Sequence, residues 1–151
     1  MNDSVRYLVA KDAVIDTLNR LFMAVDERDW AGARECLALQ VLLDVSSMSG
    51  EPPAMLAAEE IVQAWAGALG SMEAAHHQAG NFRVEINGSE ADVSCYGIAF
   101  HYLTHPSGEN TRRFVGSYNF HLSKLDERWA VDRFKYNLKF VDGNVDLEGA
   151  N

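Results

Sequence analysis

Apolar residues recur at helical spacing in three parts of the chain. In residues 12–26 the regularly spaced apolar residues are Val14, Leu18, Leu21 and Val25. Steps of three and four predict a long amphipathic helix there. Residues 30–37 predict a short second helix, which Asp29 is placed to cap. Residues 59–70 predict a third helix, whose apolar positions four residues apart are Ile61, Trp65 and Leu69.

Apolar and alternating runs separated by turn residues predict strands in the rest of the chain. A short strand is expected at residues 40–46. Four long strands are expected at residues 76–87, 90–105, 112–125 and 128–141. The turn signals between them are Asn87-Gly88, Pro106-Ser107-Gly108 and Asp126-Glu127. Consecutive hairpins form an antiparallel meander, and helices followed by hairpins predict an α+β fold with the helices on one face of the sheet.

The predicted strand at residues 90–105 is apolar on both faces. Alternation places Cys95 and Ala99 on one face and Tyr96 and Phe100 on the other. An antiparallel sheet can leave one face in water, so a second apolar face favours a protein partner. We expect a homodimer or homotrimer formed through the outer face of the sheet.

Length and composition limit the class of protein. The 151 residues fit one domain, 1–151, whose residues 143–151 are expected to be a flexible polar tail. Apolar residues make up 48% of the chain, yet no apolar run approaches the ~18 residues that a membrane span requires. The first residues lack a secretory signal, and Cys36 and Cys95 are expected to be reduced and buried. These features predict a cytoplasmic protein.

Charge and motifs exclude several kinds of site. A net charge of −9 argues against nucleic acid as a partner, and the basic pair Arg112-Arg113 is interpreted as a solvated strand edge. The histidine spacings fit no helical metal motif, so no metal site is expected. Neither a nucleophile elbow nor a phosphate-binding glycine loop occurs, and we expect no cofactor.

Four local motifs occur in an order that resembles one family. They are Val25–Trp30, His77–Val84, Asn87–Val93 and Leu125–Val131. Together with the order of helices and strands, they resemble the SnoaL-like and scytalone dehydratase-like proteins of the NTF2-like superfamily. The resemblance implies a cone in which three N-terminal helices pack on a curved antiparallel sheet that encloses a pocket.

The resemblance also implies roles for three side chains. His77 corresponds to the histidine that acts as general base and acid, His101 to a second, assisting histidine, and Asp26 to the buried aspartate that orients the second histidine. Two tyrosines that position a carbonyl in scytalone dehydratase correspond here to Val25 and Val45. These departures argue against scytalone itself as the substrate.

The chemistry of these residue types is independent of the resemblance. Imidazole titrates near neutrality, and a carboxylate on one ring nitrogen fixes the tautomer. The alternative is that Asp26 caps a helix end and that both histidines are satisfied core or interface groups. His76 points to the opposite face from His77, and we assign His77 to the pocket. Because Phe82 and Val84 share the face of His76, the strand is expected to bend near Gly80.

The remaining pocket candidates have alternatives of equal weight or more. Asp44 is either a base for proton abstraction or a polar residue at a strand edge, and the second reading is favoured. Tyr118 either stabilises an enolate or is a buried tyrosine with a satisfied hydroxyl. Asn81 either contacts a ligand or satisfies the bent backbone. Trp65 is assigned to the pocket lining with Val25 and Val45.

Two functions follow from this set of residues. The first is a cofactor-independent lyase or isomerase that acts by general acid–base catalysis on a small hydrophobic polyketide-like, aromatic or steroid-like carbonyl compound. The second is a non-catalytic module of the same fold that holds a small apolar ligand or supports an assembly.

Overall fold

The computed structural model describes residues 2–149. The helices are α1 (Asp3–Asp26), α2 (Trp30–Glu35), α3 (Ser46–Ser49) and α4 (Ala58–Leu69). The strands are β1 (Leu37–Asp44), β2 (Ala54–Ala57), β3 (Ala74–Asn87), β4 (Glu90–Tyr102), β5 (Thr111–Leu125) and β6 (Arg128–Gly143). In this part of the chain no helix is both long and apolar enough to cross a bilayer.

Helix α1 is nine residues longer at its start than the periodicity predicts. The Asn2 side chain accepts a hydrogen bond from the Val5 backbone N–H at 2.9 Å and caps the helix. The first turns are exposed, including Leu8 and Val9, so no buried stripe marks them in the sequence. The second half buries Leu18 and Leu21 against the sheet. Asp29 caps α2 through the Gly32 N–H, as predicted.

The four long strands form the predicted antiparallel meander, and the α+β fold with helices on one face of the sheet is confirmed. The complete sheet has six strands in the order β2-β1-β6-β5-β4-β3. Two details correct the expectation. Strand β1 pairs with β6 in parallel rather than antiparallel, and a fourth, one-turn helix and a short strand lie between β1 and α4.

Strand β3 contains the bend that was expected near Gly80. Its register with β4 shifts between Gly80 and Arg83, and Asn81 adopts a left-handed backbone conformation with φ of 57°. The inserted residue changes the face to which later side chains point. His77 and Val84 therefore both face the helices, although alternation alone would place them on opposite faces.

Residues 144–149 pack against the domain, in contrast to the flexible tail expected at 143–151 from its polar sequence; residues 150 and 151 lie outside the part of the chain that the structure describes. Leu147 is fully buried in the main core. The Asn144 backbone N–H donates to the Thr111 carbonyl at 2.7 Å. These contacts hold residues 144–149 beside the start of β5.

Candidate active site

A histidine–aspartate pair lies where the end of α1 meets strand β3. Asp26, the last residue of α1, accepts a hydrogen bond from His77 Nδ1 at 2.6 Å. Its second oxygen accepts from the His77 backbone N–H at 2.9 Å. Because an ionised carboxylate only accepts, the proton of the neutral imidazole lies on Nδ1 and the lone pair on Nε2. The pair is mostly buried, with side-chain exposures of 16% for His77 and 15% for Asp26.

The partner of Asp26 differs from the expectation, since the aspartate orients His77 and not His101. The His101 ring lies 6.4 Å from that of His77, measured between ring centroids. His101 Nδ1 accepts instead from the Arg112 guanidinium at 3.0 Å. Burial first, and then the charge of Arg112, lower the pKa of His101 from 6.5 to about 4. His101 is therefore neutral at pH 7.

Both histidines line a cavity of about 190 Å³ between the helices and the sheet. Nine residues were predicted for the site from the sequence, and six of them line this cavity: Val25, Val45, Trp65, His77, His101 and Tyr118. Asp26 reaches it through its hydrogen bonds to His77. The rest of the lining is almost entirely apolar or aromatic, as in most small-molecule sites.

Asp44 and Asn81 are not part of this cavity. The Asp44 carboxylate accepts from the backbone N–H and the hydroxyl of Ser46, and these bonds lower its pKa. It therefore stabilises the turn into α3. Asn81 is the left-handed residue of the β3 bulge. For Asp44, at the end of β1, the structure supports the reading as a polar residue at a strand edge, and for Asn81 it supports the reading that involves the bent backbone.

Two tyrosine rings form part of the cavity wall. The Tyr118 and Tyr136 rings are 4.8 Å apart between centroids. Burial raises the pKa of Tyr118 well above its usual range and that of Tyr136 to about 12, so both are phenols at neutral pH. The buried Tyr136 hydroxyl has no hydrogen-bond partner among residues 2–149. It is a free donor beside the cavity.

Sequence reasoning missed Arg112 and Tyr136. Arg112 was interpreted as part of a solvated edge, yet its side chain is only 12% exposed, whereas that of Arg113 is 44% exposed. The alternation along β5 could have predicted the burial of Arg112, because Arg112 lies on the same strand face as Phe114 and Tyr118. On β6 the same period places Tyr136 with Phe134.

A metal site is not formed by the described residues. No group of three or more His, Cys, Asp or Glu side chains within residues 2–149 is arranged to hold an ion. The His77 and His101 Nδ1 atoms are engaged by Asp26 and Arg112. The chemistry available is thus that of two oriented imidazoles and phenolic hydroxyls facing an apolar cavity.

The chain belongs to the SnoaL-like domain family, whose pattern matches residues 6–135. No curated protein sequence shows significant similarity to it. Among solved structures, a protein from Kribbella flavida superposes with a TM-score of 0.87 at 20% identity, covering 93% of this chain and 97% of that one.

Two further solved structures are similar. A proposed scytalone dehydratase from Novosphingobium aromaticivorans has a TM-score of 0.81 at 14% identity, with coverages of 92% and 90%. The type 3 hexachlorocyclohexane dehydrochlorinase from Novosphingobium barchaimii has a TM-score of 0.75 at 13% identity, covering 95% of each chain. At such identities the likeness demonstrates the shared NTF2-like fold, because one fold hosts many activities.

Proposed function

We propose that the protein is a cofactor-independent lyase or isomerase that acts on a small hydrophobic carbonyl compound. The observation that carries the proposal is the Asp26–His77 pair at the cavity. Asp26 occupies His77 Nδ1 at 2.6 Å, so the ring nitrogen left for a ligand is Nε2, which carries the lone pair. An oriented imidazole with a free lone pair is a general base.

The reaction begins with transfer of a proton from the carbon next to the carbonyl to His77 Nε2. The electron pair of that C–H bond moves into an enolate, and Asp26 stabilises the imidazolium that forms. In a lyase, the proton then passes to a hydroxyl on the neighbouring carbon, which leaves as water while a C=C bond forms. In an isomerase, the proton returns to a different carbon.

The size of the cavity narrows the class of substrate. A cavity of about 150 Å³ accommodates benzene, so about 190 Å³ suits a compound with one ring and a few substituents. A steroid-like compound requires a larger space. Apolar contacts from Val25, Val45 and Trp65 favour a ligand whose body is hydrocarbon.

The names of two structural neighbours are compatible with an elimination. A dehydratase removes water and a dehydrochlorinase removes hydrogen chloride, and both names belong to proteins of this fold. Both eliminations require a base that removes a proton from carbon, and we assign this role to His77.

The test uses 3-hydroxycyclohexanone and related single-ring β-hydroxy ketones. Dehydration is followed by the absorbance of the conjugated enone, and α-proton exchange in D₂O is followed by NMR. We expect His77→Gln and Asp26→Asn to lower the rate by about 10²- to 10⁴-fold, the usual contribution of general acid–base catalysis. His76→Gln is the matched control, because His76 points to the other face of β3. If the His77→Gln variant retained more than a tenth of the wild-type rate, His77 would not be the general base.

The apolar lining supports a second candidate, a module that binds a small ligand without converting it. Val25 and Val45 line the cavity, and the family resemblance aligns them with two tyrosines that position a carbonyl in scytalone dehydratase. On this alternative, the ketones bind with measurable affinity while neither dehydration nor α-proton exchange exceeds the rate without protein.

A further inference from the structure

We propose that Arg112 and Glu148 are positioning residues that hold His101 as the neutral tautomer with its proton on Nε2. His101 then presents a hydrogen-bond donor to the ligand oxygen, while His77 presents a lone pair to the ligand carbon. Glu148 belongs to the segment after β6, so the C-terminal segment completes the site. The inference rests on the proposed function and assigns a role to groups outside the Asp26–His77 pair.

The geometry begins with the guanidinium of Arg112. One of its terminal nitrogens lies 3.0 Å from His101 Nδ1. Both terminal nitrogens donate to the two carboxylate oxygens of Glu148, each at 2.7 Å. The two parallel bonds fix the plane of the guanidinium, since paired Arg–carboxylate contacts are geometrically specific. The ring plane of Phe114 lies beneath, with its centroid 5.4 Å from the guanidinium carbon.

The tautomer of His101 follows from the identity of its partner. A guanidinium has only donors, so His101 Nδ1 must accept and the ring proton must lie on Nε2. The opposite holds at His77, whose Nδ1 donates to Asp26. Two histidines in one cavity thus carry opposite tautomers, because one is paired with a cation and the other with an anion.

The charged and titratable groups around His101 come from β5, β3, α1 and the segment after β6. Arg112 on β5 and His77 on β3 lower its pKa in addition to burial, whereas Glu148 after β6 and Asp26 on α1 raise it. The lowering effects are larger, and His101 stays neutral well below pH 7. A neutral imidazole donor stabilises a developing oxyanion by hydrogen bonding without transferring a proton. The expected ligand therefore carries a carbonyl oxygen at the His101 end of the cavity.

Contacts of residues other than Glu148 also hold the C-terminal segment in place. Leu147 is fully buried, and the Asn144 side chain donates to the Glu109 carbonyl at 3.0 Å. These contacts bring the Glu148 carboxylate to Arg112. The hydrogen bonds from Arg112 lower the pKa of Glu148 below its usual range, so it is ionised in the working pH range.

The first test measures the tautomer directly in the ligand-free protein. The ¹⁵N chemical shifts of the His101 ring, assigned with a His101→Asn variant, are expected to show Nδ1 unprotonated and Nε2 protonated at pH 7. Arg112→Met is expected to give a mixture of tautomers and to raise the pKa of His101. Arg113→Met is the matched control, since Arg113 lies next in sequence but on the outer face. If Arg112→Met does not fold, Glu148→Gln is measured in its place. It is expected to give a smaller shift towards mixed tautomers and to lower the pKa of His101, because the charge of Glu148 raises that pKa.

The second test uses acetophenone and ethylbenzene as probes of similar shape that differ in the carbonyl. Wild-type protein is expected to bind acetophenone more tightly, and Arg112→Met or Glu148→Gln to reduce that preference by about 2- to 10-fold, the value of one hydrogen bond. A proton on Nδ1 of wild-type His101, or spectra and preferences that both variants leave unchanged, would overturn the assignment. Neither test requires turnover. The tautomer assignment therefore stands or fails separately from the base role of His77.

Discussion

Two glycines face each other on the cavity side of β4 and β5, and the space above them is filled by tyrosine rings. Gly97 and Gly116 are register partners. A Cβ atom at Gly97 would overlap the Tyr118 ring, and one at Gly116 would overlap the Tyr136 hydroxyl and the Asn137 carbonyl. The absence of side chains at these two positions lets both rings lie flat enough to form the cavity wall.

Replacement of Gly97 by Ala is therefore expected to push the Tyr118 ring out of place. Overpacking of this kind costs roughly 1–3 kcal/mol. The free energy of unfolding, measured by urea denaturation, should fall by that amount. Gly80→Ala on the neighbouring strand is the matched control, because its Cβ would meet no atom within 4 Å. If the two variants were equally stable, the position of the Tyr118 ring would not depend on the lack of a side chain at Gly97.

For single residues, the sequence predicts on which face of a helix or strand a side chain lies, but not which residue it contacts. The strand period placed His101 on one face of its strand with Cys95 and Ala99, whereas Asp26 and Tyr118 were assigned to the pocket by the family resemblance. The partner of Asp26 depends on how closely the end of α1 approaches β3, which no local pattern encodes. Arg112 was misread for a related reason, since a basic pair looks solvated until the opposite faces of its two residues are considered.

The bulge in β3 is the element on which the arrangement of the site depends. Without one inserted residue, His77 and Val84 could not both face the helices. Asn81 supplies the left-handed backbone conformation that the bulge requires. Asn and Gly adopt this conformation readily, whereas β-branched residues do not.

Asn81→Val is accordingly expected to lower the free energy of unfolding by about 1–2 kcal/mol, the approximate cost of a left-handed conformation for a residue with a branched Cβ. Asn81→Gly should be close to wild type in the same thermal and urea measurements. A valine variant as stable as the glycine variant would mean that the backbone at this position is not constrained. The ligand preferences of Asn81→Gly should be unchanged, since Asn81 lies outside the cavity.

Elements with strong local signals were predicted well, and elements that depend on distant partners were not. The three turns of the meander carry glycine or adopt positive φ, and all lie where their residues indicated. The parallel pairing of β1 with β6 joins segments about ninety residues apart in the chain. Hydrophobic alternation specifies a strand but not the neighbour with which it pairs.

The outer face of the sheet determines what the whole molecule can contact. Tyr96 and Phe140 on this face are 54% and 51% exposed, and Ile98 lies beside them on β4. Because the inner face of the same sheet already covers the core, a second copy of the chain is the partner that we continue to predict for this surface.

Light scattering of the purified protein is expected to give the mass of a dimer or trimer. A Tyr96→Glu/Phe140→Glu double variant should be reduced to a monomer at micromolar concentration, because two buried charges would oppose association. Val9→Glu on α1 is the control, since Val9 is equally exposed but lies away from the sheet. A monomeric wild-type protein would contradict the prediction.

The sequence by itself determined the α+β class, the hairpins and the face of His101 on its strand. It favoured the bend in β3 and His77 over His76, but did not decide either. All of these follow from hydrophobic period, turn chemistry and the family pattern, which are local in the chain. Only the tertiary structure decided that Asp26 binds His77, that Arg112 binds both His101 and Glu148, and that Leu147 fixes the C-terminal segment. These contacts join residues between 11 and 51 positions apart through side-chain hydrogen bonds and burial. Their geometry depends on how helices and strands pack, and no repeat or motif in the chain records it.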